Sequence, residues 1–217
     1  MSSSSSIIKR GGLALYSSSK LVRSHYIRLV SYTKDLEIEY VELEADSIPQ
    51  EFLDEVNPTG RLPTLTDRDL VLFDERVISE YMDERFPHPA LMPIEANNRA
   101  KIRLFFWELE KAWYSCVDTL EQTRQTPVKR RRTQRELRDA ILSFVPFFKG
   151  REYLIGNELS LLDCFVLPVL WRLGALEIEL PKSASPLLRY MDFHFNKDYF
   201  RKSLSKYEEA LPPYVVS

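Results

Sequence analysis

The chain has 217 residues, 44% of them hydrophobic and 29% charged, with 30 basic against 32 acidic side chains for a formal charge of −2. These are the proportions of an ordinary soluble globular protein, long enough for one large domain or two small ones sharing an interface. The near balance of charge excludes a global field toward nucleic acid or membrane, so electrostatic recognition has to be local.

Residues 1 to 12 open with a serine run, Met1 to Ser6, followed by Ile7-Ile8-Lys9-Arg10. No apolar stretch there suits a signal peptide, no later span approaches the ~20 apolar residues of a membrane helix, and the segment reads as a disordered tail. The two cysteines, Cys116 and Cys164, are far apart in apolar runs. Both read as buried core residues of a chain from a reducing cytoplasm, with neither a disulfide framework nor a zinc site.

Leu13-Ala14-Leu15-Tyr16, between Gly11-Gly12 and Ser17-Ser18-Ser19, predicts a buried strand. Ser24 is positioned to cap a helix whose apolar residues Ile27, Leu29 and Val30 share one side, with Arg28 interrupting. Residues 38–43 alternate as a half-buried strand does, and a short helix, Gln50 to Val56, follows Pro49. Asn57-Pro58-Thr59-Gly60-Arg61-Leu62-Pro63 is a turn leading into a strand, and 64–66 with 70–73 form a hairpin. Val77, Ile78, Tyr81 and Met82 then space a helix running to about Phe86. The order β-α-β-α-β-β-α is the connectivity of a thioredoxin-like α/β domain, taken here as residues 13–86.

Pro87-His88-Pro89 and Pro93 mark a linker, 87–95. Nothing after Glu95 reads as a strand, which predicts an all-α domain over 96–210. Ile102, Phe105, Phe106, Leu109, Trp113, Val117 and Leu120 keep helical spacing for more than five turns. A second helix runs from the polar stretch at 123–127 to about Lys149. Ser160 and Asp163 make a capping box before an apolar helix, 164–173, that reads as fully buried. Further helices precede a loose C-terminal tail, 211–217.

A thioredoxin-like half joined to a helical half by a proline-containing linker resembles the glutathione transferase superfamily. The motifs carrying the resemblance are N-P-x-G-x-L-P-T-L at 57–65 and S-L-L-D at 160–163. The resemblance implies a cis Leu62–Pro63 bond and a homodimer joining the first domain of one subunit to the second domain of its partner. A narrower likeness, carried by Asp83-Glu84-Arg85-Phe86-Pro87-His88-Pro89-Ala90-Leu91-Met92-Pro93, Glu110 to Tyr114 and Leu170 to Leu173, is to a bacterial, RNA polymerase-associated branch. It implies contact with the polymerase holoenzyme, including its sigma factor, through Phe86, Pro87, His88 and Pro89, and a role in transcription during starvation or stress.

Cysteine-type members of the superfamily open the first helix with a nucleophile. Leu21 stands there in this chain and can neither donate a hydrogen bond nor form a thiolate. Active members carry Glu-Ser at the turn into the third helix, where the serine and the helix N-terminus hold the γ-glutamyl carboxylate. This chain has Asp74-Glu75. A second carboxylate about 4 Å from the ligand's own costs roughly 1–4 kcal/mol, so Leu21, Leu62, Pro63, Asp74 and Glu75 read as a degenerate glutathione pocket. Neither cofactor nor metal is expected, and no transferase activity. The alternative is a divergent transferase or thiol reductase using Tyr16, Ser17, Ser18 or Ser19. Arg124, Lys129-Arg130-Arg131-Arg132, Arg135 and Arg138 form a basic cluster, read as a solvated helix face, or else as a non-specific contact with promoter DNA phosphates or a contact with an acidic polymerase surface. The three histidines, 25, 88 and 194, lack metal-ligand spacing.

Overall fold

The structure, a computed structural model, describes Ile8, residues 12–122 and residues 124–217. Apart from Ile8 and Gly12, the expected N-terminal tail lies outside the described residues.

The first half is built on a four-stranded sheet of order β2-β1-β3-β4, from β1 (Leu13–Ser17), β2 (Glu39–Glu42), β3 (Thr64–Asp67) and β4 (Leu70–Leu72). β1 runs parallel to β2 and antiparallel to β3, and β3 turns back into β4. The alternation of β1 assigns its side chains to two cores. Leu15 joins the main core, whereas Ala14 and Tyr16 pack on the opposite face with Leu43, Phe52 and Leu62. Phe52 belongs to α2 (Gln50–Glu55), so α2 covers that second face. On the main-core face lie α1 (Val22–Thr33), bringing Tyr26, Ile27 and Val30, and α3 (Glu75–Arg85), bringing Ile78 and Met82. The Leu62–Pro63 bond is cis, and so is His88–Pro89.

The second half is helical: α4 (Ala96–Leu109), α5 (Ser115–Glu121), α6 (Pro127–Phe144), α7 (Leu161–Trp171), α8 (Ser185–Phe195), α9 (Asp198–Ser203) and α10 (Lys206–Glu209). α7, apolar apart from Asp163, is its axis, buried along almost its whole length. The capping box is present: Ser160 Oγ accepts from Asp163 N–H, and Asp163 in turn accepts from Ser160 N–H, Ser160 Oγ, Leu154 N–H and Tyr190 Oη. That full set of donors explains how a carboxylate is tolerated at zero exposure. Among the described residues no helix is long and apolar enough to cross a membrane.

Several sequence expectations need correction. Ser24 does not cap α1: the helix starts two residues earlier, Leu21 is its N-cap residue without a side-chain bond, and the buried Ser24 Oγ accepts from Ser18 N–H inside. Cys116 is only half-buried, unlike Cys164. The long helical run after Glu95 is interrupted by one π-turn, Glu110–Tyr114, between α4 and α5. Strands do occur late in the chain, as β5 (Glu179–Leu180) pairs in parallel with β6 (Val215–Val216). The C-terminal residues are therefore paired instead of loose. Gly174 lets them approach: a Cβ there would sit 2.2 Å from the carbonyl oxygens of Pro212 and Pro213.

Candidate functional site

The site has two parts, the pocket between the halves and the segment that links them. Both are shaped by charges buried where sequence periodicity predicts only apolar packing.

At the pocket, the first backbone N–H of α1, on Val22, points at the carboxylate of Glu121 from α5, with Oε1 accepting at 2.9 Å. Arg172, at the end of α7, approaches the same oxygen at 3.5 Å. A helix N-terminus lacking a capping side chain of its own is thus closed by an acid from the other half. Burial of Glu121 outweighs the pull of Arg172 and of the Val22 N–H and pushes its carboxyl up to about 7. Leu21, next to this contact, is half-buried and offers no polar atom.

At the start of α3, Asp74 is the N-cap, its Oδ1 accepting from the N–H groups of Arg76 and Val77 at 3.0 and 3.1 Å. Glu75 is not free to turn to solvent. It is 7% exposed and forms an ion pair with Arg23 of α1. The same guanidinium holds Glu110 of the π-turn at 2.6 Å and Asp118 of α5 at 2.6 Å, and lies over the Tyr114 ring. Burial opposes the charge on Arg23, but the bonds to Asp118 and Glu110 and the charge of Glu75 outweigh it and raise the pKa further. The expected repulsion of a ligand carboxylate by Glu75 is therefore only partly screened, since the one Arg23 guanidinium is shared among Glu75, Glu110 and Asp118. The positions that the superfamily resemblance gives to a thiolate and to a γ-glutamyl carboxylate lie beside Glu121, Asp74 and Glu75 of the chain itself. Leu62 and Pro63 hold the neighbouring turn, fastened by Asn57 Nδ2 donating to Thr64 Oγ1 at 2.9 Å.

The hydroxyls considered for catalysis at residues 16–18 are buried. Ser17 Oγ accepts from Arg28 Nη1 at 2.6 Å, Tyr16 is fully buried against Phe52, and Ser18 Oγ is buried without a partner among the described residues. His25, the nearest imidazole in sequence, is engaged by Ser203 and Arg172, and burial pushes its pKa down to about 3. Among the described residues no group of three or more His, Cys, Asp or Glu could hold a metal ion.

The linker is different. Pro87, His88, Pro89 and Ala90 are exposed, whereas Leu91 and Met92 are buried beneath them. The exposed residues are not loosely strung. Asp83, on the core side of α3, accepts from Leu91 N–H at 2.7 Å and Met92 N–H at 2.9 Å. It pairs with Lys34 at 2.8 Å, and the Lys34 ammonium also donates to the Pro89 carbonyl at 2.5 Å. Farther on, Leu161 N–H of α7 donates to the Leu91 carbonyl at 2.9 Å. Phe86, half-buried, closes the near end under the Arg85 guanidinium. A buried ion pair that also satisfies three backbone groups fixes the linker as a rigid projection.

Sequence reasoning missed Lys34, Asp83, Arg23 and Glu121. A signal existed for Asp83, one residue after Met82 on the buried side of an amphipathic helix. Lys34 and Glu121 carry no local sign.

Comparison with known proteins agrees with this architecture. Residues 11–84 match the model of the glutathione S-transferase N-terminal domain, and residues 107–198 match that of the C-terminal domain. The stringent starvation protein A homolog of Haemophilus influenzae is 37% identical over 98% of this chain and 97% of its own length. That of Pasteurella multocida is 39% identical, covering 90% and 92%. The chain belongs to the stringent starvation protein A family. Solved structures add the fold: the bacterial glutathione S-transferase BphK superposes with a TM-score of 0.80 at 19% identity, over 90% of this chain and 99% of its own. An omega-class transferase from Trametes versicolor superposes at 0.76 and 20%, over 91% of each. The chain thus carries both domains of the glutathione S-transferase fold.

Proposed function

We propose that the protein is a regulator of transcription in the starvation or stress response, acting by contact with the RNA polymerase holoenzyme and its sigma factor, and without glutathione transferase activity. The observation that carries the reading is the clamp of Asp83 and Lys34, which holds Pro87, His88 and Pro89 outward as a pre-formed surface. Docking a segment that is already rigid loses little conformational entropy, and prolines with an imidazole between them offer flat contact area plus a donor and an acceptor. Membership of the stringent starvation protein A family supports the starvation role. The active form is read as a cytoplasmic homodimer.

The test is capture of purified holoenzyme by immobilised protein. Wild type retains it, and the Pro87→Ala/His88→Ala/Pro89→Ala variant loses most of that retention while keeping its melting temperature. Equal capture by both would remove the role given to this segment. The pocket makes a separate expectation: titration calorimetry with glutathione gives no heat of binding up to millimolar ligand. Micromolar affinity, or turnover of an electrophilic substrate, would restore the enzymatic reading.

A further inference from the structure

One face of α6 carries charge that the reading above does not use. Between residues 124 and 138 the sequence holds seven cations, Arg124, Lys129, Arg130, Arg131, Arg132, Arg135 and Arg138, and one acid, Glu136. That is six net positive charges in a chain whose total is −2. Their placement works against the helix. Lys129 and Arg130 lie in the first turn of α6, which has no acidic residue, where the positive end of the macrodipole disfavours cations. Helix stability therefore does not account for them.

Some of these cations have partners. Arg130 donates to the Leu120 carbonyl and approaches Glu177, and Arg132 pairs with Glu136 at 2.8 Å. Arg138 gives its Nε to the Glu179 carbonyl at 3.0 Å, and its two terminal nitrogens have no partner among the described residues. Among the described residues Arg131 and Arg135 have no carboxylate within ion-pair distance. Positions 131, 135 and 138 follow i, i+4, i+7, so the three guanidiniums form one stripe about 10 Å long at 1.5 Å per residue. The stripe forms one wall of an open cleft of about 590 Å³, with Glu177, Ile178 and Glu179 opposite. Glu177 is already engaged by Gln134 and Arg130.

We propose that this stripe is a docking surface for the phosphate backbone of duplex DNA, without base recognition. The choice of nucleic acid over an acidic protein rests on composition. Specific protein interfaces have an apolar centre, and among the described residues the only strongly exposed apolar residue at this end of α6 is Val128. A uniform stripe of arginines, each able to bind phosphate with two parallel N–H groups, suits a regular polyanion. Base reading is absent from the proposal because no element here has a recognised groove-reading form. The surface does not depend on the Pro87–Pro89 contact, so each stands or falls alone.

Fluorescence anisotropy of the full-length protein with a random 30-base-pair duplex tests it. At about 50 mM salt, binding with Kd between roughly 10⁻⁶ and 10⁻⁴ M is expected, and log K should fall against log salt with a slope near −3, as three or so phosphate contacts require. Arg131→Gln/Arg135→Gln weakens binding at least tenfold and reduces the slope by about 2. Lys129→Gln/Arg132→Gln, the same loss of charge on another face of the helix, changes it less than threefold. The Pro87→Ala/His88→Ala/Pro89→Ala variant binds as wild type does. No binding at low salt, or equal losses for the two double variants, overturns the proposal. Binding of poly-glutamate of matched charge as tight as that of the duplex assigns the face to an acidic protein and overturns it too.

Discussion

Glu208 is the most constrained charge in the molecule. It has zero exposure, its oxygens take Arg28 Nη2 at 2.5 and 2.6 Å and Arg172 Nη2 at 2.6 Å, and it caps its own short helix through Ser205. Burial opposes its ionisation, but the surrounding positive charge, His25 in acid and Arg28 and Arg172 throughout, outweighs it and holds the carboxyl well below the usual range. Removing such a partner leaves two guanidiniums uncompensated in the interior, at a cost of about 3–5 kcal/mol. Glu208→Gln is therefore expected to lower the unfolding free energy from urea titration by that much, although the residue touches neither candidate surface. Two other residues set a pH dependence of opposite sign. The Glu121 carboxyl is pushed up to about 7, so the folded chain holds its proton more firmly than the unfolded one. Its contribution is present below the ordinary value of 4.5 and is lost as pH rises through 7. His25, pushed down to about 3, contributes stability above 6.5 that is lost as pH falls toward 3. Melting temperature followed from pH 5 to 8 should decline more steeply for wild type than for Glu121→Gln. Parallel curves would show that Glu121 does not titrate in this range.

Among the elements, the linker and the helix entrances behave differently from what periodicity alone implies. The thioredoxin-like order, the hairpin, the capping box at Ser160 and the burial of α7 were all readable, because each rests on local pattern or on turn chemistry. The entrance to α1 was not. Ser24 is a good capping residue by type, yet Glu121 supplies the cap from 99 positions away, and no window of sequence contains both. The same holds for Arg28, which looked like an interruption in an apolar stripe and is one arm of the Glu208 cluster. Pro87, His88 and Pro89 were legible as exposed linker, but their rigidity depends on Lys34, 55 positions before Pro89. A linker held this way has a testable weakness. Lys34→Met leaves Asp83 buried without its counter-ion and should cost about 3–5 kcal/mol. It should also reduce polymerase capture with the Pro87–Pro89 sequence intact. Full capture by a folded Lys34→Met protein would mean that residue identity suffices and presentation does not matter.

At the scale of the whole molecule the two halves share one interior. Leu15, Tyr26 and Ile78 from the first half lie in the same apolar cluster as Phe106, Trp113 and Phe165 from the second. Heat or denaturant should therefore unfold the chain in a single transition, with coincident curves from tryptophan fluorescence and circular dichroism. Two separate steps would show that the halves are independent. The expected homodimer needs an apolar face outside that interior. Leu70 on β4, Phe73 just after it, Val77 on α3, and Leu104 and Trp107 on α4 are exposed apolar side chains that could supply one, with Arg76, Glu80, Glu84 and Arg103 beside Leu70 and Val77. Val77→Glu, at a position 52% exposed, should shift the sedimentation coefficient from dimer to monomer with little effect on folding. A monomeric wild type would refute the assignment of this face.

The carboxylates of Glu121 and Glu75 have one more consequence. A group attached to the chain is never diluted, and its local concentration is set by geometry. On the proposed reading of the site, clearing one of the two places leaves the other occupied, and Leu21 still lacks a reactive atom. Gaining catalysis would then require several changes together, with no benefit from the first alone, and that reading makes the present state a ratchet.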